Sequence, residues 1–126
     1  TKENDMTHDI AELDLPALRT AMETAAKTSA EGFLKKHYNG QDWGACGFAW
    51  VTIYPKHKGN TKEGREERKV YRALGAELDH TGKNFQIWNP AKIGCQNIDA
   101  KEEGATTAAK ILQMAGIDAH SHSRLD

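Results

Sequence analysis

Cysteine is scarce in this chain. Cys46 and Cys95 are the only two in 126 residues, too few for the disulfide framework that a small secreted domain would usually need. Both are glycine-flanked and read as reduced thiols, with a single bridge between them left open. Long apolar runs are missing as well. The longest, Gly44 to Ile53, falls far short of the roughly 20 residues of a membrane helix, and the first residues lack the apolar stretch of a signal peptide. The expectation is a cytoplasmic chain with no membrane contact. An excess of one charge is also absent: 17 Lys and Arg face 18 Asp and Glu, for a net charge of −1. Any attraction for nucleic acid must therefore come from a local patch. There is no internal repeat, low-complexity tract or linker, so one domain is the simplest count. With 38% hydrophobic and 28% charged residues, the chain has material for a core and is too varied to be disordered throughout.

Residues 1–13 are polar and read as a flexible segment ahead of a single domain at 14–126, with Met6 a candidate for the natural start. Asp14 offers a helix N-cap and Pro16 suits the first turn. Leu15, Leu18, Met22, Ala25, Ser29 and Phe33 recur in steps of three and four, which predicts one long amphipathic helix stopped at Asn39-Gly40. Residues 44–55 alternate as a strand, with Phe48, Trp50, Thr52 and Tyr54 on one side and Ala49, Val51 and Ile53 on the other. Both faces are largely apolar, which predicts a central strand covered on both sides. Asn60 with Glu63 has the spacing of a capping box that opens a second helix, running to about Leu74 and ended by Gly75. Glu77–His80 and Asn84–Trp88 flank the turn Thr81-Gly82-Lys83 as a hairpin. Asp99 with Glu102 repeats the capping spacing before a third helix, from Ala100 to about Ala115. A last strand runs from Ile117 to His120 or His122, and the tail Ser123–Asp126 reads as a frayed end.

After the first helix the order is β-α-β-β-α-β, which resembles the ferredoxin-like or split βαβ arrangement. The fold expected is α+β: a long N-terminal helix followed by a ferredoxin-like sandwich with a mainly antiparallel sheet. That order also places the strands around Trp50 and Phe85 side by side, where RNA-recognition domains stack bases on exposed aromatics. Phe48, Trp50 and Tyr54, with Phe85 or Trp88, have suitable chemistry. The stretch Gly82-Lys83-Asn84-Phe85-Gln86-Ile87-Trp88 departs from that family's glycine-aromatic-valine spacing. The reading preferred for these rings is core beneath the long first helix, since exposed aromatic patches are uncommon on monomers. A pocket between helix and sheet, lined by Trp50 and Tyr54, is the intermediate case.

The most unusual local feature is basic. Between Lys56 and Arg72 seven cations (Lys56, Lys58, Lys62, Arg65, Arg68, Lys69, Arg72) face three glutamates (Glu63, Glu66, Glu67), leaving a net of +4. Gly59 and Gly64 lie near a helix N-terminus, whose free N–H groups and positive dipole end suit phosphate. The expected ligand set is Lys56, Lys58, Gly59, Asn60, Thr61, Lys62 and Arg65, with Arg124 reaching an anion at the sheet edge and Trp50 or Tyr54 stacking a base. The spacing is neither a Walker loop nor a dinucleotide-binding fingerprint. The bland alternative is a solvated helix with its charges paired internally.

His120 and His122 lie on one side of a strand and His80 at another strand's end, with Cys95, His57 or Asp126 as conceivable third partners. No HxxxH or CxxC spacing supports a metal site, and no carboxylate cluster supports metal-dependent phosphoryl chemistry. They read as surface histidines. The enzymatic option is a small hydrolase or transferase using His57, His80 or His120 on a phosphorylated or CoA-type substrate. Val51–Pro55 with Gly59 and Gly64 before a helix vaguely resembles the acyl-CoA-binding segment of GNAT acetyltransferases, but lacks that family's glycine spacing. Gly47–Pro55, Lys58–Gly64 and the closing Ser-Arg-Leu-Asp resemble small bacteriophage-type proteins, which implies a role antagonising or sequestering a host component in the host cytoplasm. The combined expectation is a non-enzymatic binder of a phosphate-bearing ligand, nucleotide or nucleic acid, without metal or cofactor. A host protein, or a second copy docked through the first helix, stands as a further partner.

Overall fold

A computed structural model describes Ile10 and residues 12–126. Residues 1–9 and 11 of the stretch read as flexible, Met6 among them, lie outside the described residues. Ile10 itself is buried in the core, and Leu13 packs against that core.

The elements are α1 (Leu15–Tyr38), β1 (Gly47–Ile53), α2 (Lys62–Ala73), β2 (Glu77–Leu78), β3 (Phe85–Trp88), α3 (Ile98–Met114) and β4 (Ala119–Leu125). This is an α+β fold around one four-stranded sheet of order β2-β3-β1-β4, in which every neighbouring pair is antiparallel. Val51 pairs with Ile87 on one side and Ser121 on the other, and Trp50 likewise with Trp88 and His122. Strands pleat with a period of two, so this register sends whole sets of residues to opposite faces.

One face is the core. Ala49, Val51 and Ile53 of β1, Phe85 and Ile87 of β3 and Ala119 of β4 are buried there. They meet Ala105, Ala108 and Leu112 of α3 and Val70, Tyr71 and Leu74 at the end of α2. The Asp14 carboxylate accepts the Ala17 amide to cap α1, and Asn39, at φ 55°, closes it. α1 lies antiparallel to α3: Tyr38 donates to Asp99, and the Thr107 hydroxyl to that of Ser29. The contact is made of small side chains. A Cβ on Gly104 would sit 2.8 Å from the Ala91 Cβ and 3.3 Å from the Ala26 carbonyl, so the backbones approach closely.

Several local expectations need correction. α2 is capped by Thr61, whose hydroxyl accepts from the Gly64 amide, so the Asn60–Glu63 box does not form. α3 starts at Ile98 with Asn97 as its cap; Asp99 instead takes the Tyr38 hydroxyl and Glu102 that of Ser123. The tail is not frayed, because β4 pairs with β1 as far as Leu125 opposite Gly47. β2 is only two residues long, since Asp79 turns the chain by accepting from the Thr81 amide and hydroxyl. The largest correction concerns α1. It packs on α3 and α2 and leaves the aromatic face of the sheet uncovered, with Phe48 37% and Trp88 48% exposed.

Candidate nucleic-acid interface

The basic loop is built to hold an anion, and the anion is its own. Glu67, 1% exposed, accepts the Lys56 amide at 2.6 Å and the His57 amide at 2.9 Å. Its carboxylate also takes the Tyr71 hydroxyl, with the Arg68 guanidinium 3.9 Å away. A buried carboxylate needs such donors. Burial and the neighbouring carboxylate push the Tyr71 phenol far above its ordinary range. The remaining loop groups are also engaged. Arg68 donates to the carbonyls of His57 and Gly64, Arg65 to that of Asn60, and the Thr61 hydroxyl to that of Lys58. Gly64 is a packing glycine: a Cβ there would fall 1.8 Å from the Lys58 carbonyl. Lys58, Gly59, Asn60 and Lys62 are exposed. The cavity beside the loop, about 180 Å³, is lined by Ile10, Tyr54, Pro55, Lys56, Glu67, Tyr71, Gly116 and Asp118. It presents carboxylates as well as one lysine, which suits a free phosphate poorly.

The open sheet face is different. Its register puts Phe48, Trp50 and Thr52 of β1 beside Gln86 and Trp88 of β3 and His120, His122 and Arg124 of β4. Tyr54 follows one residue beyond the end of β1. Trp88, Trp50 and His122 form a transverse row: Trp50 stacks on Trp88 at 4.6 Å and 25° and on His122 at 5.9 Å and 26°. Neighbouring strands lie about 4.8 Å apart, so the sheet itself sets this near-stacking interval. Phe48 meets Trp88 edge-on at 6.3 Å, and the Arg124 guanidinium lies 5.5 Å from the Phe48 ring centre. At the other end the Tyr54 hydroxyl is 3.3 Å from His122 Nε2 and its ring 5.7 Å from that of His120. His120 Nε2 pairs with Asp118 at 2.7 Å. The Trp88 indole N–H donates to Gln86.

Of the residues expected to contact a ligand, Trp50, Tyr54 and Arg124 therefore share this face, and Lys56 lines the cavity at its Tyr54 end. Lys58, Gly59, Asn60, Thr61, Lys62 and Arg65 form a separate group at the start of α2. Phe48, Trp88, His120 and His122, considered in the sequence as stacking rings or surface histidines and not as ligand contacts, complete the face together with Gln86. Their signal was the alternation of β3, where Phe85 and Ile87 go inward and Gln86 and Trp88 outward. Both cysteines are free, and burial together with the Asp42 carboxylate pushes the Cys95 thiol up. Among the described residues no three His, Cys, Asp or Glu converge as a metal set, and no helix is long and apolar enough to cross a membrane.

Compared with known protein families, with curated proteins and with solved structures, the chain matches none.

Proposed function

We propose that this protein binds single-stranded nucleic acid on the open face of its sheet. The observation that carries this is the composition of that face. From Phe48 across Trp88, Trp50 and His122 to Tyr54 it is a run of rings with polar edges. Thr52, Gln86, His120 and Arg124 fill the gaps, and no Leu, Ile, Val or Met of β1, β3 or β4 falls among them. Unpaired bases stack on aromatic surfaces about equally well whatever their sequence. Trp50 has a ring on each side, so Trp88 is the residue on which a base extends the row. Arg124 beyond Phe48, and Lys56 beyond Tyr54, supply cations at the two ends for backbone phosphates. The antiparallel sheet carries its helix contacts on the Val51 and Phe85 side, which supports the reading that the opposite face is the one available to bases. At the start of α2 the Thr61 hydroxyl, the Gly64 amide and the Arg65 and Arg68 guanidiniums are bound within the loop, which argues against the rival seat there.

The test is fluorescence titration with a labelled single-stranded oligonucleotide. Removing one stacked ring costs about 1–3 kcal/mol, so Trp88→Ala weakens binding about 5- to 150-fold. Lys58→Ala and Lys62→Ala leave it within about twofold. The reverse pattern would return the site to the basic loop.

A further inference from the structure

The same face carries two histidines, of which only His122 joins the stacked row. His120 and His122 sit two residues apart on β4 and so project to one side, with Cα atoms roughly 6.6 Å apart at two strand steps. His120 holds Asp118 at 2.7 Å and His122 meets the Tyr54 hydroxyl at 3.3 Å. Each imidazole thus has one ring nitrogen fixed by a neighbour. A cavity with Tyr54, Lys56 and Asp118 lies beside the partners of the pair, and His122 also borders an open pocket of about 210 Å³ with Glu102, Thr106, Ser121 and Ser123 at the sheet edge. Lys56 near Tyr54, and Arg124 two residues beyond His122, bracket the pair with positive charge.

Resting on the binding reading, we propose that this face also cleaves bound RNA by transesterification, with His122 as general base and His120 as general acid. His122 removes the proton from a ribose 2′-OH as that oxygen attacks the adjacent phosphorus. The new 2′-O–P bond forms while the P–O5′ bond breaks, and His120 delivers a proton to the departing 5′ oxygen. The products are a 2′,3′-cyclic phosphate and a 5′-hydroxyl end, and the two histidines exchange protonation states with solvent between turnovers. No oxidant, reductant or metal enters the balance. Tyr54 touches both rings, so the reacting phosphate sits over the exposed side of the pair, where Lys56 or Arg124 meets the charge that grows on its oxygens. Asp118 and Tyr54 are positioning residues that hold the two rings.

The experiment uses the full chain with a single-stranded RNA oligonucleotide, and its all-deoxy counterpart, in excess EDTA. Cleavage of the RNA to cyclic-phosphate ends is expected, with the DNA bound but intact. His120→Ala and His122→Ala each lower the rate by about 10²–10⁴-fold while oligonucleotide affinity falls by less than about tenfold. Both positions are exposed on an edge strand, and His122→Asn serves as a shape-preserving second variant should the alanine variant melt early. Asp118→Asn lowers kcat without moving KM. RNA that binds but stays whole overturns the cleavage proposal and leaves the binding reading standing. Cleavage that survives in the double histidine variant overturns it as well, and failure of both oligonucleotides to bind removes both readings.

Discussion

Glu67 and Trp88 changed places in importance between sequence and structure. Among the charges of α2, Glu67 looks like one more partner for a neighbouring cation. In the fold it is the buried ligand of two amides and a phenol. Its spacing from Tyr71, four residues on, was legible. Its pairing with Lys56 and His57, eleven and ten residues back, depended on how the loop closes and was not. Truncating it strands buried donors, which costs about 1–3 kcal/mol for each unsatisfied group. Glu67→Ala is therefore expected to destabilise the protein by about 3 kcal/mol or more in urea unfolding, and Tyr71→Phe by about 1–2 kcal/mol. The phenol also sets a pH limit. Its folded-state value is raised above the ordinary value near 10, so the fold favours the neutral form. That contribution is fully present below pH about 10 and is lost as pH climbs beyond it, where the unfolded phenol ionises first. Melting temperature should fall above pH about 10, and Tyr71→Phe should flatten that fall.

At the scale of elements, α1 is the instructive case. Its bounds were readable, because Asp14, Pro16 and Asn39-Gly40 are local signals. Its partner was not readable from periodicity, since an apolar stripe fits a sheet or another helix alike. The buried positions of α1 are Met22, Ala26 and Ala30, and the two alanines permit the close crossing over Gly104 of α3. Gly104→Ala tests that crossing. The helix gains about 1 kcal/mol of propensity, but the methyl meets Ala91 and the Ala26 carbonyl. Overpacking of this kind costs about 1–3 kcal/mol, so a net loss is expected in thermal unfolding. Gly64→Ala, aimed at the Lys58 carbonyl, should cost more, because its obstacle is backbone. β4 extends beyond the strand that its sequence predicts for a related reason. From Ser121 to Arg124 no residue is apolar, and the stretch is held in the sheet by pairing with β1 and by the contacts of Ser121 with Thr106 and Ser123 with Glu102.

For the whole molecule, the proposed binding, on a ring-lined face of a chain with even charge balance, predicts stacking with few ionic contacts. Single strands lose about 0.7 units of log affinity per tenfold salt for each phosphate neutralised. Arg124 and Lys56 alone give a slope of about −1.4. A site built on Lys56, Lys58, Lys62 and Arg65 would give about −2.8. The α+β class and the antiparallel sheet were within reach of the sequence because strand alternation and turn residues are local. The open face was not, because exposure is decided by where a distant helix settles. The measurement that bears most directly on the central claim is a nitrogen-correlated NMR titration with a short single-stranded oligonucleotide. The account predicts shifts at the Trp50 and Trp88 indoles and along residues 47–54, 85–88 and 119–125, with amides 57–65 unmoved. Shifts confined to residues 57–65, or none at the two indoles, would contradict it.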